Sequence, residues 1–189
     1  VVAEDDVCPS IIDWRGCNGV LSRCDISGND AVNGGAVTWS GNNGVIKECI
    51  FTDNSADFGG AVTCSANNCS IDNNLFINDA SKIAGSVYMA GMNNKISNCL
   101  FVNSTSAING EAIFIDRNRK NMTLENIFFD EKTSLPFIDG AKVPVDINNI
   151  VDFAYYTYMA DGKIDIAPLI YNSIMKGGVI YYNDDIYYT

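Results

Sequence analysis

A segment of constant length recurs along the first two thirds of the chain. Three copies run from residues 16 to 40, 41 to 65 and 66 to 90, and a fourth, from 91 to 116, is one residue longer. A partial fifth copy covers residues 122 to 130. A unit this short cannot bury its apolar side chains alone, so the copies must stack on one another to form a core.

The aligned copies keep the same chemical character in column after column. The clearest columns are Leu21, Ile46, Ile71 and Ile96; Cys24, Cys49, Asn74, Cys99 and Asn126; Ile26, Phe51, Phe76, Phe101 and Phe128; Val37, Val62, Val87 and Ile113; and Trp39, Cys64, Met89 and Ile115. Short β-rich pieces alternate with Asn, Gly, Asp and Ser, and no copy shows the period of an amphipathic helix. The pattern predicts an all-β chain, a parallel β-helix of about five coils that are about 4.8 Å apart.

Asparagine is abundant, with 23 copies, and much of it follows the repeat. The two clearest polar columns are Asn18, Asn43, Asn68 and Asn93, and Asn29, Asn54, Asp79 and Ser104. A side-chain amide at a corner can bond its equivalent one coil away, so we expect hydrogen-bonded ladders. The glycine pairs Gly34-Gly35 and Gly59-Gly60 are expected at turns that require a positive φ.

Two copies also carry a short motif that is known from surface proteins. Ile26-Ser27-Gly28-Asn29 precedes Gly34-Gly35-Ala36-Val37, and Phe51-Thr52-Asp53-Asn54 precedes Gly59-Gly60-Ala61-Val62. This pairing resembles the repeat of chlamydial polymorphic outer-membrane proteins and is similar to adhesin-like surface proteins of methanogenic archaea. The resemblance covers residues 16 to 130. It implies a right-handed parallel β-helix of the pectate-lyase-like type and a role in adhesion.

The two ends of the chain differ from the repeats, which occupy residues 16 to 130. Residues 1 to 15 are predicted to form an amino-terminal cap, because an open β-helix end exposes unpaired backbone and core. Residues 131 to 189 contain no cysteine and eight of the nine tyrosines. Their strand-like segments predict further irregular coils, a small β appendage or a carboxy-terminal cap.

The tyrosines of this last segment are the candidate ligand-binding residues. A tyrosine combines a flat apolar face with a hydroxyl group, which suits protein interfaces and stacking on sugars. Ordinary strand packing is the alternative. The residues predicted to bind are Tyr181, Tyr182, Tyr187 and Tyr188.

The seven cysteines are an odd number, and no two have CxxC spacing, which argues against a zinc site of that type. Cys8 and Cys17 are candidates for a disulfide that pins the cap. Cys24 and Cys49 lie one coil apart, a separation that permits a disulfide, although we expect them first as core-filling thiols.

Three asparagines begin Asn-x-Ser/Thr sequons, namely Asn68, Asn103 and Asn121. Such sequons are compatible with glycosylation outside the cell, although an asparagine-rich chain also produces them by chance. The low pI of about 4.2 and the small share of charged residues are typical of secreted or surface proteins. The composition therefore predicts an extracellular, cell-surface location.

Charge and composition exclude several classes of function. The formal net charge of −11 would repel a phosphate backbone, so no nucleic-acid partner is expected. Histidine is absent, which excludes Ser-His and Cys-His nucleophile systems and histidine-ligated metals. No stretch approaches the roughly 20 consecutive apolar residues of a membrane-spanning helix.

Enzymatic cleavage of polysaccharides has to be considered, because many parallel β-helices carry it out. Glycoside hydrolysis needs two carboxylates placed across one bond. The candidate carboxylates on the coils are scattered, and they are Asp53, Asp57, Asp72, Asp79 and Asp116. We therefore expect no catalytic residues, no metal and no cofactor.

The combined pattern predicts a non-catalytic, adhesin-like cell-surface protein that binds glycans or surface proteins of another cell. One alternative is a structural subunit of an extracellular filament or sheath, in which copies of the chain assemble by coil stacking or strand exchange. A polysaccharide lyase or hydrolase is the second alternative.

Overall fold

The computed structural model describes residues 10–110, 112–116 and 121–129, together with the backbone of five later strands. These residues form short β-strands and turns, and none of them lies in a helix. Most strands pair in parallel with the equivalent strand of the next repeat. The protein is a parallel β-helix, as the repeat predicts.

Three parallel sheets run along the helix. Sheet A contains β1 (Ile12–Trp14), β5 (Val37–Trp39), β9 (Val62–Cys64), β13 (Val87–Met89), β16 (Ile113–Ile115) and β18 (Phe137–Ile138). Sheet B contains β2 (Val20–Ser22), β3 (Asp25–Ser27), β6 (Val45–Lys47), β7 (Ile50–Thr52), β10 (Ser70–Asp72), β11 (Leu75–Ile77), β14 (Lys95–Val102), β17 (Met122–Phe129) and β19 (Val145–Asp152). Sheet C contains β4 (Asp30–Asn33), β8 (Ser55–Phe58), β12 (Ala80–Ile83) and β15 (Thr105–Asn109).

Backbone hydrogen bonds keep the first coils in a constant register, one repeat length apart in the sequence. The amide of Ile50, for example, donates to the carbonyl of Cys24, and the amide of Leu75 donates to that of Cys49. The strand register confirms three apolar columns that the sequence predicts: Leu21, Ile46, Ile71 and Ile96; Val37, Val62, Val87 and Ile113; and Trp39, Cys64, Met89 and Ile115.

The fourth coil is longer than the others, and the extra residues enter in two steps. Val87 pairs with Ile113, which lies one residue beyond the repeat length, and Lys95 pairs with Thr123, which lies three residues beyond it. The first extra residue lies at a register shift between β12 and β15. The other two lie between β16 and β17.

This longer coil shows that the predicted register of the fifth copy was wrong by one residue. The sequence alignment placed Asn126 in the column of Cys99 and Phe128 in that of Phe101. In the structure Cys99 pairs with Ile127, and the partner of Phe101 likewise lies one position later than predicted. Because side chains alternate between the two faces of a strand, this register turns Ile127 into the core and leaves Asn126 half-buried.

Aromatic side chains stack inside the helix with nearly parallel rings. The ring centroids of Phe51 and Phe76 are 5.0 Å apart, and those of Phe76 and Phe101 are 4.8 Å apart. Trp14 stacks on Trp39 at 5.0 Å in the same way. These separations match the distance between neighbouring strands, so each ring lies directly over its equivalent in the next coil.

Asparagine and glycine form the corners because the backbone there has a positive φ. Ten of the fourteen described non-glycine residues with positive φ are asparagines, which tolerate this conformation better than most residues. Gly34 and Gly59 have φ of 54° and 61°, as predicted. Gly60 has an ordinary φ, but a Cβ atom there would overlap the carbonyl oxygen of Gly85 in the next coil. The third coil places Ala84, with φ of 66°, where the second has Gly59.

The parallel stack continues beyond residue 130, where the repeat in the sequence ends. β18 pairs with β16, and β19 pairs with β17 along its whole length. The last three strands, β20 (Ile174–Lys176), β21 (Val179–Tyr182) and β22 (Asp185–Tyr188), pair antiparallel with one another. Both further coils and a small antiparallel sheet are thus present among the described strands after residue 130.

Replacing Ala84 with glycine should stabilise the protein. The positive φ of Ala84 strains its Cβ atom, and glycine removes that strain while adding some entropy to the unfolded chain. We expect Ala84→Gly to raise the free energy of unfolding by about 0.5–1 kcal/mol. The measurement is urea denaturation followed by circular dichroism.

Ala61→Gly is the control, because Ala61 is equally buried and has no positive φ. That variant should be less stable than the wild type. If both variants changed the free energy of unfolding in the same direction, the explanation would be contradicted.

Candidate functional site

Three aromatic residues meet where sheet C turns into sheet A, with Phe58 exposed, Tyr88 half-buried and Phe114 buried. Phe58 ends β8, Tyr88 is the middle residue of β13, and Phe114 is the middle residue of β16. The ring of Tyr88 stacks on that of Phe114, with centroids 5.5 Å apart and an angle of 6°. It meets the ring of Phe58 edge-on, at 5.6 Å and 70°. We call these three residues the aromatic cluster.

Apolar and charged side chains extend the aromatic cluster along sheet C. Ile83 pairs with Phe58 in the neighbouring coil, and Ile108, near the irregular end of β15, is 62% exposed. One position before Phe58 and Ile83, Asp57 and Lys82 form an ion pair with an N–O distance of 2.6 Å. This surface therefore places a charged donor and a charged acceptor beside aromatic rings.

The pleat of sheet A explains why Tyr88 and Phe114 point outward. Their neighbours on either side in each strand are buried, and side chains alternate between the two faces of a strand. Thr38 and Thr63 occupy the same outward position in the two preceding coils. The sequence analysis did not predict the aromatic cluster. The feature that could have indicated it is the change from threonine to an aromatic residue at the middle position of the sheet A strands.

The tyrosines that were predicted to bind a ligand lie on two neighbouring antiparallel strands. Tyr181 and Tyr182 belong to β21, and Tyr187 and Tyr188 belong to β22. Tyr187 is paired with Ile180, and Tyr181 with Ile186. The side chains of these residues lie outside the described part of the structure, so their role as a binding site stays a prediction.

The three sequon asparagines are members of amide ladders on the outside of the helix. The amide nitrogen of Asn68 donates to Asn43, and its oxygen accepts from Asn93, with distances of 3.2 and 3.1 Å. Asn121 extends this ladder by donating to Asn93 at 2.8 Å. Asn103 donates to Asn78 in a second ladder. All three have a positive φ, so their presence has a structural reason, and their glycosylation stays a prediction.

The described cysteines are all free thiols. Cys24 and Cys49 lie in the same column on neighbouring coils, and the Cys49 thiol donates to the carbonyl oxygen of Lys47 at 3.2 Å. Burial raises the pKa of Cys49 to about 11, which disfavours its thiolate. Cys17 is exposed, whereas its predicted partner Cys8 lies outside the described residues. The bridge between Cys8 and Cys17 therefore stays a prediction.

Most of the carboxylates considered for hydrolysis have structural partners. Asp53 accepts a hydrogen bond from the Asn78 amide at 3.0 Å. Asp72 accepts bonds from both Ser97 and Asn98, at 2.6 and 2.8 Å. Within the described residues, no three carboxylate or cysteine side chains are grouped as they would be around a metal ion.

Asp79 is the one carboxylic acid that lies fully inside the helix among the residues whose burial the structure describes. Its Oδ1 atom accepts bonds from both the main-chain and the side-chain nitrogen of Asn54, each at 3.1 Å. Its Oδ2 atom is buried and has no partner. Burial raises the pKa of Asp79 to about 8, because the charged form would lose its hydration.

The repeat indicates what the proton on Asp79 does. Asn54, Asn74 and Asn94 each donate their side-chain nitrogen to a carbonyl oxygen 28 residues earlier. The equivalent acceptor for residue 79 is the carbonyl oxygen of Phe51. A carboxylate oxygen facing that carbonyl is repelled, whereas a protonated Oδ2 can donate to it. A protonated Asp79 can therefore make the hydrogen bond that an asparagine makes at this position, whereas the Ser86 hydroxyl favours the charged form.

Comparisons of the sequence with family models and with curated proteins, and of the fold with solved structures, gave no match. The described residues contain no helix that is long and apolar enough to cross a bilayer.

Replacing Asp79 with asparagine should stabilise the protein at neutral and alkaline pH. Folding raises the pKa of Asp79 above its unfolded value, so the folded state holds the proton more tightly. Wild-type stability should therefore fall as the pH rises from about 4 to about 8. Asp79→Asn removes this dependence, and at pH 8 we expect a gain of about 1–3 kcal/mol, the usual cost of an unsatisfied buried polar group.

The measurement is the urea midpoint of both proteins at several pH values between 4 and 9. Asp25→Asn is the matched control, since it removes one negative charge from an exposed strand position two coils away from Asp79. This control should keep the wild-type pH dependence. A parallel pH dependence in Asp79→Asn and the wild type would show that Asp79 is not the titrating group.

Proposed function

We propose that this chain is a non-catalytic, adhesin-like binding module at the cell surface and that it binds glycans through the aromatic cluster. The observation that carries this proposal is the position of the cluster, on an outer face of the β-helix with an ion pair beside it. In the chain as described, the rings of Phe58 and Tyr88 are held by regular strands of two neighbouring coils.

The chemistry of the surface suits a sugar. The C–H face of a pyranose ring packs on an aromatic ring, while its hydroxyl groups need hydrogen-bond donors and acceptors nearby. Phe58 is 36% exposed and supplies apolar surface. Asp57 accepts and Lys82 donates, and both side chains are accessible to solvent. Because the scaffold is rigid, a ligand would lose little affinity to ordering of the protein.

The repeat itself supports a role in adhesion. Its motif resembles those of chlamydial polymorphic outer-membrane proteins and of adhesin-like surface proteins of methanogenic archaea. The extracellular location proposed here rests on the low pI and the sequons. Surface proteins of another cell are the other class of ligand that such a face would suit.

The structural roles of the carboxylates favour binding over polysaccharide cleavage. Hydrolysis needs two carboxyl groups that are both available to one glycosidic bond. Asp53 and Asp72 accept hydrogen bonds in ladders, Asp79 is fully buried, and Asp57 is paired with Lys82. Each of these groups already has a partner or lies away from the surface.

A filament subunit is the second candidate function, and the first coil favours it. β1, β2, β3 and β4 each stand at the end of their sheet among the described strands. Ile11 and Val20 are exposed on this coil. A second copy that placed its last coil there would extend all three sheets and cover both apolar side chains.

Removing the ring of Phe58 should weaken glycan binding. On a glycan array, we expect wild-type protein to bind a subset of glycans, and Phe58→Ala to bind them about tenfold more weakly, since a ring contact contributes about 1.4 kcal/mol. Met92→Ala is the matched control, because Met92 is an exposed apolar residue of similar accessibility, 38%, outside the aromatic cluster. Its binding should equal that of the wild type.

The other outcomes distinguish the alternatives. Binding that survives in Phe58→Ala but is lost in Tyr181→Ala/Tyr182→Ala would move the site to the tyrosine-rich strands. An absence of glycan binding together with concentration-dependent polymers in sedimentation would favour the filament. Release of reducing or unsaturated ends from a polysaccharide would favour the enzyme.

A further inference from the structure

Cys64 and Cys69 occupy two positions that recur in four successive coils of the described chain, at the end of a sheet A strand and five residues later. The pairs at these two positions in successive coils are Trp14 with Gly19, Trp39 with Gly44, Cys64 with Cys69, and Met89 with Asn94. A large residue at the first position thus goes with glycine at the second in the first two coils. Of these four pairs, only the third has cysteine at both positions.

The glycines show that the two positions share one space. A Cβ atom placed on Gly19 would overlap the indole ring of Trp14, and one placed on Gly44 would overlap that of Trp39. A side chain at the second position therefore points at the side chain of the first. In the third coil this geometry directs the Cys69 thiol at the Cys64 thiol.

Both thiols lie in the core. Cys64 is 1% exposed and Cys69 is 4% exposed. Both lie beside Trp39, Ile46 and Ile71, where no space large enough for a water molecule remains.

The surroundings activate one thiol of the pair. The neighbouring Cys64 thiol lowers the pKa of Cys69 to about 7, and the pKa of Cys64 is raised in turn. The amide of Gly44 also donates to the Cys69 sulfur at 3.4 Å. Cys69 is therefore the more nucleophilic of the two at neutral pH. Cys49, which lies in a different core column, differs from Cys69 because burial raises its pKa.

We propose that Cys64 and Cys69 form a disulfide within the third coil when the chain folds in the presence of a small-molecule disulfide. The Cys69 thiolate attacks one sulfur of the oxidant and releases one thiolate, which gives a mixed disulfide. Cys64 then loses its proton to solvent, attacks the Cys69 sulfur and releases the second thiolate. The two protein thiols are oxidised, and one small-molecule disulfide is reduced to two thiols.

The pairing can be located by differential alkylation of the full chain. The protein is refolded with oxidised and reduced glutathione, alkylated with light iodoacetamide in denaturant, reduced, and alkylated with heavy iodoacetamide. Trypsin releases residues 48 to 82 as one peptide that contains Cys49, Cys64 and Cys69. We expect tandem mass spectrometry to find the heavy label on Cys64 and Cys69 and the light label on Cys49. Light label on all three, or heavy label on Cys49, would overturn the proposal.

Two controls separate the effect of the fold from that of proximity along the chain. Oxidation in guanidinium chloride should give the Cys64–Cys69 bond about tenfold less readily at the same glutathione ratio, and equal yields would refute a role of the fold. Cys64→Ala should leave Cys69 as a mixed disulfide with glutathione, which the mass of the unreduced protein shows as one added glutathione, whereas the wild type should carry no glutathione on Cys64 or Cys69. Cys49→Ala, which removes a thiol outside the pair, should leave the heavy label on Cys64 and Cys69 unchanged.

Discussion

The parallel hydrogen bonding between coils is the constraint on which the rest of the structure depends. A coil makes few backbone hydrogen bonds within itself, so its strands are satisfied by the equivalent strands of its neighbours. The constant register that results places like over like. Phe76 lies between Phe51 and Phe101, and Asn43 lies between Asn18 and Asn68. Identical or similar residues therefore contact one another along a column because the backbone pairing keeps them in register.

The fold could be predicted well from the sequence where the repeat length is constant. Apolar residues that recur once per repeat identify the inward columns, because a slip of one residue would turn every side chain to the other face. The register of the fifth copy was predicted wrongly because the fourth coil contains three extra residues, which are inserted at two places. The spacing from Cys99 to the next inward residue could not be read from a short apolar segment in which Ile127, Phe128 and Phe129 follow one another.

The candidate site was harder to predict than the fold, for a physical reason. The rings of the aromatic cluster come from three coils, and those of Tyr88 and Phe114 are single residues between buried neighbours in their strands. Its members do not all share one column, since Tyr88 and Phe114 pair in sheet A while Phe58 ends a sheet C strand. Asp79 was placed in its ladder correctly, but nothing in the sequence indicated that this ladder runs through the interior, where Asn54 and Asp79 are fully buried.

The amide ladders also have a direction. On the outside, Asn43, Asn68 and Asn93 each donate to the preceding coil, whereas in the interior Asn29 and Asn54 each donate to the following one. Aligned amides add their dipoles, so two antiparallel rows cancel part of each other's field. The interior row reaches Asp79, whose Oδ1 is purely an acceptor. A longer solenoid built from such units could thus grow with less accumulated polarity along its axis than one whose ladders all run the same way.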